Sequence, residues 1–228
     1  MTLAAKEKLL KDSQKTLNEI YDMLYSAKSI SLQELQSDKT ALIMVDLING
    51  FTREGALQSA RVESILKEVV KLQQASIDKG FEILAFADSH SEASPEFESY
   101  PAHCLMGTSE AEVVTELQQA GGYQLIHKNS TNCFLEEEFQ KWLSERQIID
   151  TFIIVGDCTD ICIQQFAVTL KCWFNKENKK ARVLVPIDLV ETYDLGSHNG
   201  DLVQLMALYN MIINGVEVVR NISLDIQE

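Results

Sequence analysis

The chain has 228 residues, 46% of them hydrophobic, which is enough for one well-buried domain with an appendage. With 34 acidic residues against 20 basic ones the formal charge is −14, and no basic patch is present, so nucleic acid and anionic membrane are excluded as partners. Cys104, Cys133, Cys158, Cys162 and Cys172 form an odd, irregularly spaced set, which argues against a disulfide scaffold.

The opening MTLAAKEKLLKDSQK carries charges where a signal peptide has its apolar core, and no apolar run reaches the roughly 20 residues of a membrane span; a cytoplasmic location is expected. Residues 3–27 space Leu3, Leu10, Leu17, Ile20, Tyr21 and Leu24 as one face of a helix. This predicts a helical extension over 1–37, packed on its own domain or on a neighbouring subunit, ahead of a single domain over 38–228. Short apolar runs then follow: ALIMV (41–45), FEILAFA (81–87), YQLI (123–126), DTFIIV (150–155), ARVLVPI (181–187) and VEVV (216–219). They read as strands buried on both faces. Between them lie stretches of helical spacing, clearest at 58–78, 162–174 and 201–213. Parallel strands need long crossovers, so the alternation predicts an α/β three-layer sandwich with a mainly parallel, Rossmann-like sheet.

In such sheets ligands bind beyond the carboxyl ends of the strands. The first run ends in Asp46, the second in Asp88 with His90 two residues on, the third in Lys128, and the fourth in the turn GDCTDICIQ. Cys162 stands where that turn becomes helical. The unpaired N–H groups of a first helical turn favour a thiolate, and they can also hold the oxyanion formed when a thiolate attacks a carbonyl. The spacing Cys158-x-x-x-Cys162 is not the usual redox spacing, and no second pair completes a zinc site. Asp88 and His90 alternate and so face one way in extended chain, and a turn containing Pro101 can bring His103 back to them. Mixed imidazole and carboxylate ligands suit Zn²⁺, Fe²⁺ or Mn²⁺. Glu96, seven residues before His103, is the choice for a fourth ligand, direct or through water.

These segments resemble the isochorismatase-like cysteine hydrolases, and within them the nicotinamidases, from about residue 39 to 222. ALIMVDLINGF is similar to the signature D-x-Q-N-D-F, and FADSHSEASPEFESYPAHCLMGT to the segment D-x-H followed by aromatic-P-x-H-C-x-x-G-T. IHKNSTNCF carries Lys128 in the place of the family lysine, and VGDCTDICI matches G-x-x-T-D-x-C. The resemblance implies that Asp46, Lys128 and Cys162 are catalytic, and that Cys158 and Cys162 N–H groups form an oxyanion hole beside a cis Asp157–Cys158 peptide. It implies that Phe51 and Tyr100 flank the substrate ring, and that Asp88, His90, His103 and Glu96 hold a divalent metal. The reaction implied is hydrolysis of nicotinamide through a thioester, in a protein expected to be a homo-oligomer.

The chain departs from the pattern at Ile48 and Gly50, where the signature has Gln and Asp, and at Asp157, usually apolar or small. A charge at Asp157 would change pocket polarity. Cys104 and Cys133 read as packing residues, and His198 and Asn199 carry no assignment. Two alternatives stay open: a metal-independent isochorismatase or amidase for another small molecule, and a non-catalytic interaction protein on the same fold.

Overall fold

The computed structural model describes residues 5–224. In chain order the elements are α1 (Lys6–Tyr25), β1 (Ile30–Ser31), β2 (Thr40–Val45), α2 (Asn49–Thr52), α3 (Ala60–Lys79), β3 (Glu82–Asp88), α4 (Thr115–Ala120) and β4 (Gln124–Lys128). They continue with α5 (Glu137–Glu145), β5 (Thr151–Asp157), α6 (Gln164–Lys176), β6 (Arg182–Pro186), β7 (Val190–Glu191), α7 (Gly200–Ile213), β8 (Glu217–Val219) and β9 (Ile222–Ser223).

The main sheet runs β4-β3-β2-β5-β6-β8, parallel throughout, with β7 added alongside β5. All six expected runs are strands, within one or two residues of their ends. On β2, Ala41, Ile43 and Val45 enter the core shared with α1, α5, α6 and α7, whereas Leu42 and Met44 enter the core under α3 and α4. A strand between two helical layers must be apolar at every position, which is why the central runs show no alternation. The edge strand β4 departs from that expectation. Leu125 and His127 face outward while Ile126 and Lys128 are buried, because only one of its two faces lies against a core.

The helix α3 buries Val62, Ile65, Leu66, Val69 and Leu72 and ends at Gly80, whose left-handed φ of +77° a residue with a side chain would adopt only with strain. The expected N-terminal stripe is only half used. Ile20 and Leu24 join the core, but Leu10 and Tyr21 are exposed, because α1 meets the domain with its C-terminal half; Leu3 lies outside the described residues. Behind α1, β1 pairs in parallel with β9, so the extension is tied to the end of the chain. Among the described residues no helix is long and apolar enough to cross a membrane.

Candidate active site

Four strand ends converge at the carboxyl edge. Asp46 follows β2 with a left-handed φ of +56°, uncommon for a residue with a side chain. Its Oδ1 accepts the Asp88 N–H at 3.1 Å. Neighbouring β2 and β5 approach so closely that a Cβ on Gly156 would lie 1.9 Å from the Val45 carbonyl oxygen; the strand entering the cysteine turn therefore requires glycine there. The Asp157–Cys158 peptide is cis. Residues Thr159–Ile163 form a π-turn that leads into α6, and Cys162 sits within it, one widened turn ahead of the α-helix proper.

Lys128 is the hub. Its alternation on the edge strand points it inward, where it is 1% exposed. Its Nζ lies 2.8 Å from Asp46 Oδ2, 2.5 Å from Asp88 Oδ1 and 3.7 Å from Cys162 Sγ, and donates to the Ser130 carbonyl at 3.2 Å. The lysine thus touches both carboxylates as well as the thiol; its contact with Asp88 was not foreseen from the sequence. Burial, then the charge of Asp88, push Asp46 up to about 7 against the pull of Lys128. Although burial opposes it, Lys128 and the two imidazoles hold Asp88 well below the usual carboxylate range. Burial pushes the Cys162 thiol well up, with Lys128 pulling the other way.

Beside this hub the second group assembles. The His90 N–H donates to the Cys104 carbonyl and the Met106 N–H to that of His90, a short ladder that folds the 91–106 loop back. As a result His90 Nε2 is 3.6 Å from Asp88 Oδ1 and 4.0 Å from Glu96 Oε1, and His103 Nε2 is 3.7 Å from Asp88 Oδ2. His103 Nδ1 donates to the Pro101 carbonyl at 2.8 Å and His90 Nδ1 to Asn129 Oδ1 at 2.9 Å. In the neutral imidazoles each Nε2 then offers a lone pair, and that of His90 is buried without a hydrogen-bond partner. One ligand atom from each of the four residues lies within 4.8 Å of the others. Ligands at about 2.0–2.2 Å from a shared tetrahedral ion sit roughly 3.4 Å apart, so a small contraction seats a divalent cation. The residues fit the metal.

Asp46 and Cys162 from the first group and Asp88, Glu96 and His103 from the second line one cavity, together with Phe51, Leu57, Tyr100, Thr131, Asp157, Cys158, Ile161 and Tyr193; Lys128 and His90 are buried against Asp88. Phe51 and Tyr100 stand 5.6 and 6.2 Å from the His103 ring. Every residue expected at the site is therefore near it. Thr131, Tyr193, Asn129 and the Pro101 carbonyl were missed; they are loop groups with no periodic signal. Cys104 is a fully buried packing residue, and a Cβ on Gly50 would come within 2.6 Å of its sulfur. Asn199 caps α7, its Oδ1 accepting the Leu202 N–H.

Asp157 does not bring a charge to the pocket. It is fully buried, its Oδ1 has no partner and its Oδ2 receives only the Cys158 thiol at 3.6 Å. Burial first, then Asp46, push it well above the carboxylate range, so it stays protonated near neutrality. The unfolded chain ionises there from about pH 4 and then binds fewer protons than the folded one. Folding stability through this group therefore falls as pH rises, by about 1.4 kcal/mol per pH unit. Asp157→Asn removes the effect. The stability of wild type minus that of the variant, from urea unfolding, is expected to decline steadily from pH 5 to 7; a flat difference would contradict a neutral Asp157.

Comparison with known proteins agrees with this geometry. A model of the isochorismatase domain matches residues 40–214. The chain is 31% identical over 203 residues to Nicotinamidase 1 of Arabidopsis thaliana, covering 80% of each. It is similar to the crystal structure of a nicotinamidase from Bacillus subtilis, with a TM-score of 0.67 and 26% identity over 79% of this chain and 99% of that one. The fold is also that of a pyrazinamidase of Pyrococcus horikoshii solved in complex with zinc, with a TM-score of 0.67 and 23% identity over 80% and 99% of the two chains.

Proposed function

The chain belongs to the isochorismatase domain family, and from that premise we propose that it hydrolyses nicotinamide to nicotinate and ammonia. One observation carries the reading: the Lys128 ammonium reaches both Asp46 and Cys162, and the cavity that these two line is also lined by Asp88, Glu96 and His103 of a four-residue cluster completed by His90. The nicotinamidase relatives support the amide substrate.

Asp46, with its raised proton affinity, takes the thiol proton of Cys162. The thiolate attacks the carboxamide carbon, and the oxygen that becomes negative lies against the N–H groups of Cys158 and Cys162. Asp46 returns the proton to the nitrogen, the C–N bond breaks, and ammonia leaves a thioester on Cys162. Asp46 then takes a proton from water, the hydroxyl adds to the thioester, and the thiol leaves reprotonated with nicotinate as product. Lys128 stays charged throughout and balances whichever of Asp46 and Cys162 is the anion. Asp88, His90, His103 and Glu96 would hold a divalent cation, zinc foremost and iron or manganese otherwise. When bound it supplies a Lewis-acid point for the pyridine nitrogen, which orients the carboxamide towards Cys162. Phe51 and Tyr100 enclose the ring.

Purified protein given nicotinamide is expected to release ammonia and nicotinate in equal amounts, and its absence would overturn the reading. His90→Ala and His103→Ala are each expected to lower bound metal and turnover together, by about 10- to 100-fold or more. Cys162 keeps its contacts in both variants, so alkylation by iodoacetamide should persist. Full turnover without metal would favour a metal-independent amidase. Alkylation lost along with turnover would mean that the histidines only support the fold.

A further inference from the structure

Outside the groups already given a role, a polar cluster around His198 reaches the cavity through Tyr193. His198 lies in the loop between β7 and α7, and its two ring nitrogens are each 2.9 Å from an oxygen: Nδ1 from the Tyr193 carbonyl and Nε2 from Asp160 Oδ2. A carbonyl and a carboxylate only accept, so both contacts are hydrogen bonds when both nitrogens carry hydrogen. Asp160 belongs to the π-turn, two residues before Cys162, and its other oxygen accepts from Thr192 Oγ1 at 2.6 Å. The imidazole lies flat on the Tyr193 ring, with centroids 4.0 Å apart and planes 7° from parallel. Tyr193 is half-buried, borders the cavity, and is followed by four exposed residues, Asp194–Ser197. Among the described residues Tyr193 belongs to neither hydrophobic core.

We propose that His198 is a positioning residue: it clamps the Tyr193 ring as a wall of the substrate cavity and locks that wall to the turn that carries the nucleophile. The proposal rests on the function given above only for the choice of substrate. The loop has a second, independent anchor. Arg61 on α3 bonds Glu191 at 2.9 Å, the Thr192 carbonyl at 3.1 Å and Asp201 at 2.9 Å. Removing the imidazole therefore frees the tyrosine ring while the loop stays attached.

The test is a double-mutant cycle of His198→Ala and Tyr193→Ala with nicotinamide. His198→Ala is expected to raise KM about three- to tenfold, the worth of one stacked aromatic contact, with kcat within about twofold. In the Tyr193→Ala background it should add nothing further, because the clamp then has nothing to hold. Effects that multiply in the double variant, a fall in kcat at unchanged KM, or no change at all would each overturn the proposal. A second readout needs no substrate: the rate of Cys162 alkylation by bulky N-ethylmaleimide relative to iodoacetamide, followed by peptide mass mapping. The ratio should rise in both single variants and rise no further in the double. If the wild type leaves nicotinamide intact, the proposed activity fails by itself, and this ratio still decides: unchanged in His198→Ala, it overturns the clamp.

Discussion

Cys162→Ala is expected to abolish nicotinamide hydrolysis, by on the order of 10⁴-fold or more, whereas Cys158→Ala keeps most of it. Both thiols are buried at the same turn, so burial does not tell them apart. Their neighbours do. The Cys162 sulfur is 3.7 Å from the Lys128 ammonium, which also lies 2.8 Å from Asp46, the base proposed to take its proton. The Cys158 sulfur donates to the Asp157 carboxyl and has neither Lys128 nor a base beside it, and in the proposed mechanism its part is a backbone N–H that alanine retains. Initial rates of ammonia release from both variants, with near-UV circular dichroism to confirm folding, check this. Comparable activity in the two would remove Cys162 from its role.

The second large effect is expected at the hub. Asp46→Asn keeps the shape of the side chain but cannot take a proton, and should lower kcat by about 10²- to 10⁴-fold. Lys128→Met keeps most of the volume and removes the charge. It leaves Asp46 and Asp88 facing each other in a buried site without their shared cation, so turnover should fall by a similar factor. Stability should also fall, by about 3–5 kcal/mol, the usual effect of removing one partner from a buried ion pair. The double variant should be little slower than the slower single one, because groups that act as a unit fail together. Near-normal turnover in Asp46→Asn would mean that another group moves the proton.

The architecture was legible because its central strands are buried on both faces, which writes continuous apolar runs such as FIIV into the sequence. The edge strand β4 was less so, since one uncovered face restores alternation, and the short helix α4, a turn and a half long, leaves little periodicity to read. The main residues of the candidate site, Asp46, Asp88, Lys128 and Cys162, were legible because each stands at or just beyond a strand end, a position that chain order reveals. What stayed hidden were contacts set by three-dimensional closure. Lys128 reaches Asp88 across 40 residues of sequence, and His198 reaches Asp160 across 38. A loop of polar residues gives no hint that Tyr193 will border a cavity. The widened turn at Cys162 was also unreadable, because it differs from an α-helical start only in its hydrogen-bond ladder.

The central claim is that the acyl group passes through Cys162. Hydroxylamine competes with water for a thioester, so its partition tests that directly. The wild-type protein would be given nicotinamide at increasing hydroxylamine, and nicotinohydroxamate and nicotinate would be quantified together with ammonia. The expected result is hydroxamate that grows at the expense of nicotinate, with ammonia matching their sum and neither product formed by Cys162→Ala. Nicotinate as the only product at every hydroxylamine concentration would mean that water attacks the amide directly, and would contradict a covalent intermediate on Cys162.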